Sequence, residues 1–388
     1  MRGCLVLLRN MLIPIILAVI LLGILGAGAL VIIGRSTPHL NPVDAFGLRL
    51  TLALRSGDLE KPSGSDPAPI CFSVDQGDTA GIIAGKLSGQ GFDLDGDLFR
   101  AYVRYFNIDS SLQAGTFLLN RTLTIPQIAQ KLTNSGADSV TFRVLEGWRS
   151  EEIAAVIDST PNLTFRGADF LALVGVGATS QPGFIGEFAA RAGIPAGKPL
   201  EGFLFPDTYA LPTCGTASDL VVRMLQNFEL RVTAQMRTDA SSANMTLYEA
   251  VTLASIVQRE AVLDEERPLI ASVYLNRYRN STSAIPDPNI PRTLDADPTI
   301  QYALGNTRSP GTWWAPLSQA DYRGVVSPYN TYLNPGLPPT PIANPGLASI
   351  QGVIYPQQSA FIYFRACPGE GGRHRFSTNF AEHNNACG

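Results

Sequence analysis

The sequence predicts an α+β protein in three parts: an N-terminal transmembrane helix, a small lobe and a larger α+β lobe. Three observations lead there. Met11 to Ile33 is a run of 23 residues without one charged side chain. Between Cys71 and Ser139, short alternating strands bracket short amphipathic helices. From Val140 onward, strand patterns such as TFRVL mix with longer helical ones. At 388 residues the chain exceeds one average domain, consistent with two folded units and an appendage.

The apolar run is long enough, at ~1.5 Å rise per residue, to cross the ~30 Å hydrocarbon core of a bilayer. A helix satisfies its own backbone there. Pro14 stands near its start, where a missing N–H costs little. Arg2 and Arg9 precede it and favour a cytoplasmic N-terminus, although Arg35 beyond it makes the asymmetry slight. The rival reading is a cleaved signal peptide, with Gly26-Ala27-Gly28-Ala29 imitating a cleavage site. Secretory apolar cores are shorter, at ~7–15 residues, and this run continues through Ile33. Both readings export the rest of the chain. Residues 1–10 then form a cytoplasmic stub, 11–33 a single-pass anchor in the cytoplasmic membrane, and 34–69 a Pro/Gly/Ser/Asp-rich spacer in which Leu48 to Leu54 can make a short helical turn and KPSGSDPAP reads as flexible.

With 33 acidic and 29 basic residues and no basic block, a nucleic-acid surface is excluded. Cys71, Cys214, Cys367 and Cys387 fall in the exported part, an even number in an oxidising compartment. Cys367 and Cys387 bracket a short Gly-rich segment and are the natural pair, leaving Cys71 with Cys214; buried or free thiols are the alternative. No CxxC spacing occurs and the three histidines are scattered, so no metal site is expected.

Within 70–139, the strand Cys71–Val74 meets a turn at Gln76-Gly77-Asp78, and Asp78 or Thr79 can cap the next helix. A second helix, Leu98 to Phe106, follows the Asp95-Gly96-Asp97 turn. The segment LQAGTFLLN returns as a strand, and Ile125 to Leu132 forms a short amphipathic helix. This strand–helix–helix–strand order resembles a LysM-type glycan-binding module, a plain structural lobe being the alternative. In the larger lobe, helices are expected at Glu151 to Ile157, Ala168 to Val174 and, in one long piece, Ser218 to Met236.

Thr246-Leu247-Tyr248-Glu249 is a capping box that opens a helix through TLYEAVTLASIVQREAV. At 100° per residue its apolar residues share one face and Thr252, Ser255 and Arg259 the other. Glu260 falls at the stripe's edge, beside Leu253. A carboxyl partly withdrawn from water holds its proton more tightly, as a general acid requires. The bland alternative is a rim residue paired with Arg259 or Arg267.

Several stretches, in order, resemble the endolytic murein transglycosylases, the MltG or YceG-like family. They are VLEGWRSEEIA (144–154), LEGFLFPDTYAL (200–211), LASIVQREA (253–261), RPLIASVYLNRY (267–278), LDADPTIQYALG (294–305), SPYNTYLNPGLPPTPIANPGLASI (327–350) and FSTNFAEHN (376–384). The resemblance implies that 140–388 is a YceG-like catalytic domain. The family reads E-K-E where this chain has Gln258-Arg259-Glu260, so a catalytic carboxylate in that motif must be Glu260. The extra stretch Ser281 to Pro291 is expected to lengthen a loop at the cleft edge.

The implied reaction is cleavage of the MurNAc–GlcNAc bond within peptidoglycan strands, with 1,6-anhydro-MurNAc ends and no cofactor. One glutamic acid suffices, because it protonates the bridging oxygen and then accepts the proton of the sugar's own C6 hydroxyl. The matching motifs nominate substrate-binding residues: Asn276 on the next helix; Asp297, Thr299, Gln301 and Tyr302 after a Pro-fixed turn; and Ser327, Tyr329, Asn330 and Tyr332, the tyrosines as stacking faces. Each has a structural alternative, and Glu146 and Glu201 are read as structural. Association with peptidoglycan synthases is also implied. Two rival functions remain: a peptidoglycan-binding scaffold that does not cut, and a hydrolytic muramidase using Glu260 with Asp297.

Overall fold

A computed structural model describes residues 37–134, 139–178, 183–212 and 214–387. The stub, the 11–33 run and the start of the spacer lie outside the described residues. Among the described residues, no helix is long and apolar enough to cross a membrane. The chain forms mixed α+β structure in two compact units: the residues through Ser139 with Pro212–Cys214, and Val140–Leu211 with Gly215 onward.

In the first unit, β1 (Ile70–Val74) pairs antiparallel with β2 (Gly115–Leu119), Phe72 opposite Phe117. Alternation sends Phe72, Val74, Phe117 and Leu119 to one face, where they meet Ile83, Leu87, Leu98, Phe99 and Val103 from the helices Ala80–Gly89 and Gly96–Tyr105. The caps are local: Thr79 Oγ1 accepts the N–H of Ile82, and Asp95 accepts those of Asp97 and Leu98. Cys71 is disulfide-bonded to Cys214.

From Thr37 on, the spacer is described and carries regular structure. Asn41 caps a helix, Pro42–Leu54, that lies against Gly96–Tyr105 and buries Ala45 and Leu52. Ser63 donates its N–H to Leu123 and accepts that of Asp93, so KPSGSDPAP is pinned along the lobe. The helix extends the turn expected at Leu48 to Leu54, whereas KPSGSDPAP is held by backbone hydrogen bonds that its polar composition does not reveal.

In the second unit, β3 (Val140–Arg143) pairs antiparallel with β4 (Thr208–Leu211). The expected long helix at 218–236 is instead two, Ala217–Arg231 and Ala234–Ser242. The break falls at Val232-Thr233, where the Thr233 hydroxyl accepts the N–H of Met236 and starts a new helix.

The core of this unit is the helix Leu247–Glu260, opened by the Thr246/Glu249 capping box. The helices Arg267–Thr282 and Leu347–Ile354 cover it. Its expected polar face does not exist: every residue from Ala250 to Val257 is buried. Thr252 Oγ1 donates to the Tyr248 carbonyl, while Ser255 Oγ donates to that of Thr252 and accepts the N–H of Ile342. Asn344 joins three of the motifs. Its Oδ1 accepts from Gly202 and Leu204, and its Nδ2 donates to Trp148 and Glu201. Gly202, at φ +91°, is obligatory, since a Cβ there would come within 2.5 Å of Pro341. At the C-terminus, β5 (Tyr363–Ala366) pairs antiparallel with β6 (His374–Ser377), and a short helix, Phe380–Asn384, follows. Cys367 and Cys387 are bonded.

Candidate active site

Glu260 is the last residue of its helix, where the axis leaves the core and the carboxyl emerges into a cleft of about 470 Å³. The cleft is lined from three directions. The helix Arg267–Thr282 contributes Tyr274 and Arg277; the 294–332 segment contributes Asp295, Asp297, Tyr322 and Tyr332; the C-terminal hairpin and helix contribute Tyr363, Phe364, His374, Phe380 and His383.

The Tyr274 hydroxyl donates to Glu260 Oε1 at 2.8 Å. Glu260 Oε2 has no hydrogen-bond partner among the described residues. The Glu260 carboxyl is pushed up to about 7, first by withdrawal from water, then against the Tyr274 hydrogen bond; nearby Asp297 adds to the rise and Arg259 opposes it. Burial and the facing Glu260 charge drive the Tyr274 phenol well above its ordinary value, so it acts only as a donor.

Asp297 opens the helix Asp297–Leu304 and shares the cleft. Its Oδ1 accepts from the Tyr332 hydroxyl at 2.7 Å and its Oδ2 from that of Tyr322 at 3.2 Å. Arg277 is buried and held through Nε and Nη1: it reaches Asp295 at 2.9 Å and the carbonyls of Ile362 and Leu294. Asp295 takes the left-handed conformation at φ 53°, a strained turn of the sort found beside functional sites.

The structure thus brings Glu260, Asp297 and Tyr332 together in one cleft. The other nominated residues do not line it. Asn276 donates to the carbonyls of Ser359 and Phe361. Thr299 is buried against Thr331 and the Ala296 carbonyl. Gln301 holds the Trp314 and Ala315 carbonyls. Tyr302 lies under the Arg149 guanidinium at 4.1 Å and against Tyr329, whose own hydroxyl pairs with Thr340. Ser327 accepts the Tyr329 N–H in a turn, and Asn330 is buried, donating to Tyr322 and Val325. Asn276, Thr299, Gln301, Ser327 and Asn330 thus satisfy backbone groups, and Tyr302 and Tyr329 pack against each other, so none of the seven meets the contents of the cleft. The Ser281–Pro291 stretch also stays off the lining, tied to its own helix by Asn280, which bonds Asp287 and Ile290.

Tyr274, Arg277, Tyr322 and the C-terminal aromatics were missed. A signal for the first two exists. On a helix, Tyr274 and Arg277 share a face, whereas Asn276 points nearly opposite Tyr274, so only one of these sets can face Glu260.

A larger hollow in the first unit, about 750 Å³, is lined by Asp78, Thr79, Asp97, Arg100 and Arg104. Hydrogen bonding from Lys86 holds its Asp78 carboxyl below the ordinary value, the reverse of what a general acid requires. Asp97 and Arg100 pair with each other. Among the described residues, no group of side chains is arranged to hold a metal ion.

The YceG-like family model matches residues 72–388. This chain belongs to the YceG-like family. A relative named endolytic murein transglycosylase, from Bacillus subtilis, is 27% identical over 336 residues, spanning 84% of this chain and 86% of its own length. Another of that name, from Streptococcus pneumoniae, is 28% identical over 348 residues, spanning 82% of this chain but 59% of its own length. The crystal structure of a YceG-like protein from Listeria monocytogenes superimposes with a TM-score of 0.52 at 27% identity, covering 82% of this chain and 98% of that one.

Proposed function

We propose that this YceG-like protein is an endolytic peptidoglycan lytic transglycosylase whose general acid is Glu260. The observation that carries the reading is one carboxyl: pushed up to about 7, anchored through one oxygen by Tyr274, and open to the cleft through the other. Near neutral pH a substantial share of Glu260 is protonated. That proton passes to the bridging oxygen as the muramic acid C1–O bond breaks. The glutamate left behind is stabilised by the Tyr274 hydrogen bond, which favours the charged form. It then takes the proton of the C6 hydroxyl, which closes onto C1. General acid–base transfer of this kind contributes roughly 10²–10⁴ in rate. The intramolecular hydroxyl needs no captured water.

Asp297 supports this step. Held by two tyrosine hydroxyls, it places negative charge beside the cleft, where positive charge develops on the sugar ring, and it helps keep Glu260 protonated. The same observation favours a second reading, hydrolysis with Asp297 as the second carboxylate.

The uncharged run Met11–Ile33 supports an anchor in the cytoplasmic membrane, with the cleft outside. Two disulfides suit that compartment. The order β1–helix–helix–β2 supports a LysM-like role for the small lobe, holding glycan while the larger lobe cuts it, and peptidoglycan synthases are natural partners for such an enzyme.

The test is digestion of purified glycan strands by the wild type and by Glu260→Gln. The wild type should shorten the strands and the variant should leave them intact. Equal shortening by both would discard Glu260 as the acid.

A further inference from the structure

The cleft has a wall that the reaction above does not use. The C-terminal hairpin and the helix Phe380–Asn384 form a cap closed by Cys367–Cys387. Phe380 on this cap is 61% exposed, an open apolar ring among polar and charged lining residues. Tyr363 lies beside it, ring centroids 5.9 Å apart, and stacks on His383 at 5.1 Å with the planes 26° apart. Arg277 braces Tyr363 from 4.8 Å while its Nε donates to the carbonyl of Ile362. His383 Nδ1 is shielded from water with no hydrogen-bond partner among the described residues.

A rigid cluster of aromatic faces in a polar cleft is how proteins hold the apolar face of a pyranose ring. The rings present large area at little cost in rotamer entropy, and polar tips bond the rim hydroxyls. The tyrosines nominated for that role in SPYNTY do not offer it, since Tyr329 is packed against Tyr302, and Tyr332 donates to Asp297. Burial, reinforced by Arg365 and Arg277, keeps His383 below its ordinary value and therefore neutral, as suits a ring facing an uncharged hydroxyl.

We propose that Phe380, Tyr363 and His383 form a saccharide-binding subsite that receives a sugar ring next to the bond being cut, and that the Cys367–Cys387 disulfide holds this platform in place. The identity of the sugar, a residue of the glycan strand, rests on the transglycosylase reading; the subsite itself does not. The test is binding, separated from turnover. Full-length protein carrying Glu260→Gln is titrated with peptide-free glycan strands by calorimetry. Adding Phe380→Ala should weaken binding roughly fivefold to tenfold, on the scale of one aromatic contact, and Phe380→Tyr should restore it. Joint Cys367→Ser and Cys387→Ser replacement should weaken it similarly. Tyr355→Ala, at an exposed ring outside the cleft that bonds Asp239, should change nothing. In the active protein, Phe380→Ala should raise KM and leave kcat nearly unchanged.

Unchanged binding by Phe380→Ala would overturn the subsite, whatever the wild type does to strands. With the titration repeated on strands bearing peptide stems, a loss confined to those strands would overturn it as well, by making the peptide the occupant. A wild type that fails to cut, with Phe380→Ala still weakening binding, would remove the transglycosylase reading and leave the subsite standing.

Discussion

The second unit contains two glutamates pushed well above the ordinary carboxyl range by the same cause, and they differ in what surrounds them. Glu201 is 2% exposed and raised to about 8, first by burial and then by Glu151. Both of its oxygens are occupied, Oε2 by the Ser150 N–H and Oε1 by Asn344 Nδ2. Glu260 is raised to about 7, again first by burial, yet one of its oxygens faces a cleft. Desolvation alone therefore does not make an acid catalyst. It supplies the proton affinity, while a helix that ends at the wall of a cavity supplies the access. Glu201 uses the same physics to lock the LEGF, EGWRS and ANPG motifs together through Asn344.

This contrast can be broken by substitution. Glu260→Gln should have the largest effect, a loss of at least ~10²-fold in cleavage, with the circular dichroism spectrum unchanged. Retained activity would equate the two glutamates. Tyr274→Phe should follow, slowing kcat by about tenfold through loss of a hydrogen bond to the charged form. That bond lowers the Glu260 pKa, so its removal should move the alkaline limb of the pH–rate profile, near pH 7 in the wild type, to higher pH. Asp297→Asn should hurt less and act in the opposite sense. Its charge raises Glu260, so the limb should move to lower pH. A limb that moves upward would show that Asp297 does not act on Glu260 by its charge.

Glu201→Gln should have the smallest effect on cleavage per folded molecule and a visible one on stability. An amide cannot accept from both Ser150 and Asn344, which costs about 1–3 kcal/mol. Because the folded pKa of Glu201 is raised, its carboxyl stabilises the protein most fully below the unfolded value, and that contribution fades as pH rises through about 8. Melting curves should therefore show the wild-type advantage shrinking between about pH 5 and pH 8. A gap independent of pH would mean that Glu201 does not titrate with folding.

Local signals made much of the fold legible. The Thr246/Glu249 box, the Thr79 cap and the alternation of Phe72 and Val74 each specify an element from a few adjacent residues. The site was less so. Glu260, Asp297 and Tyr332 meet in the cleft, but Asn276, Thr299 and Asn330 turn to buried carbonyls. A loop-rich lobe has many buried backbone groups outside regular ladders, and polar side chains must satisfy them. Sequence does not distinguish such a residue from one that meets substrate. The aromatic wall was hidden for another reason. Tyr363, Phe380 and His383 are brought to Glu260 from more than a hundred residues away in the chain, by a hairpin whose packing no local pattern encodes.

The most direct test of a lone acid at the end of the core helix is the chemistry of the new chain ends, read by mass spectrometry of wild-type digests of purified glycan. On the proposed reading, Glu260 serves as both acid and base while Asp297 is held by two tyrosines, and the C6 hydroxyl closes the ring. The ends should then be 1,6-anhydro-muramic acid, one water lighter than reducing ends. Predominantly reducing ends would contradict this and make Asp297 the activator of water.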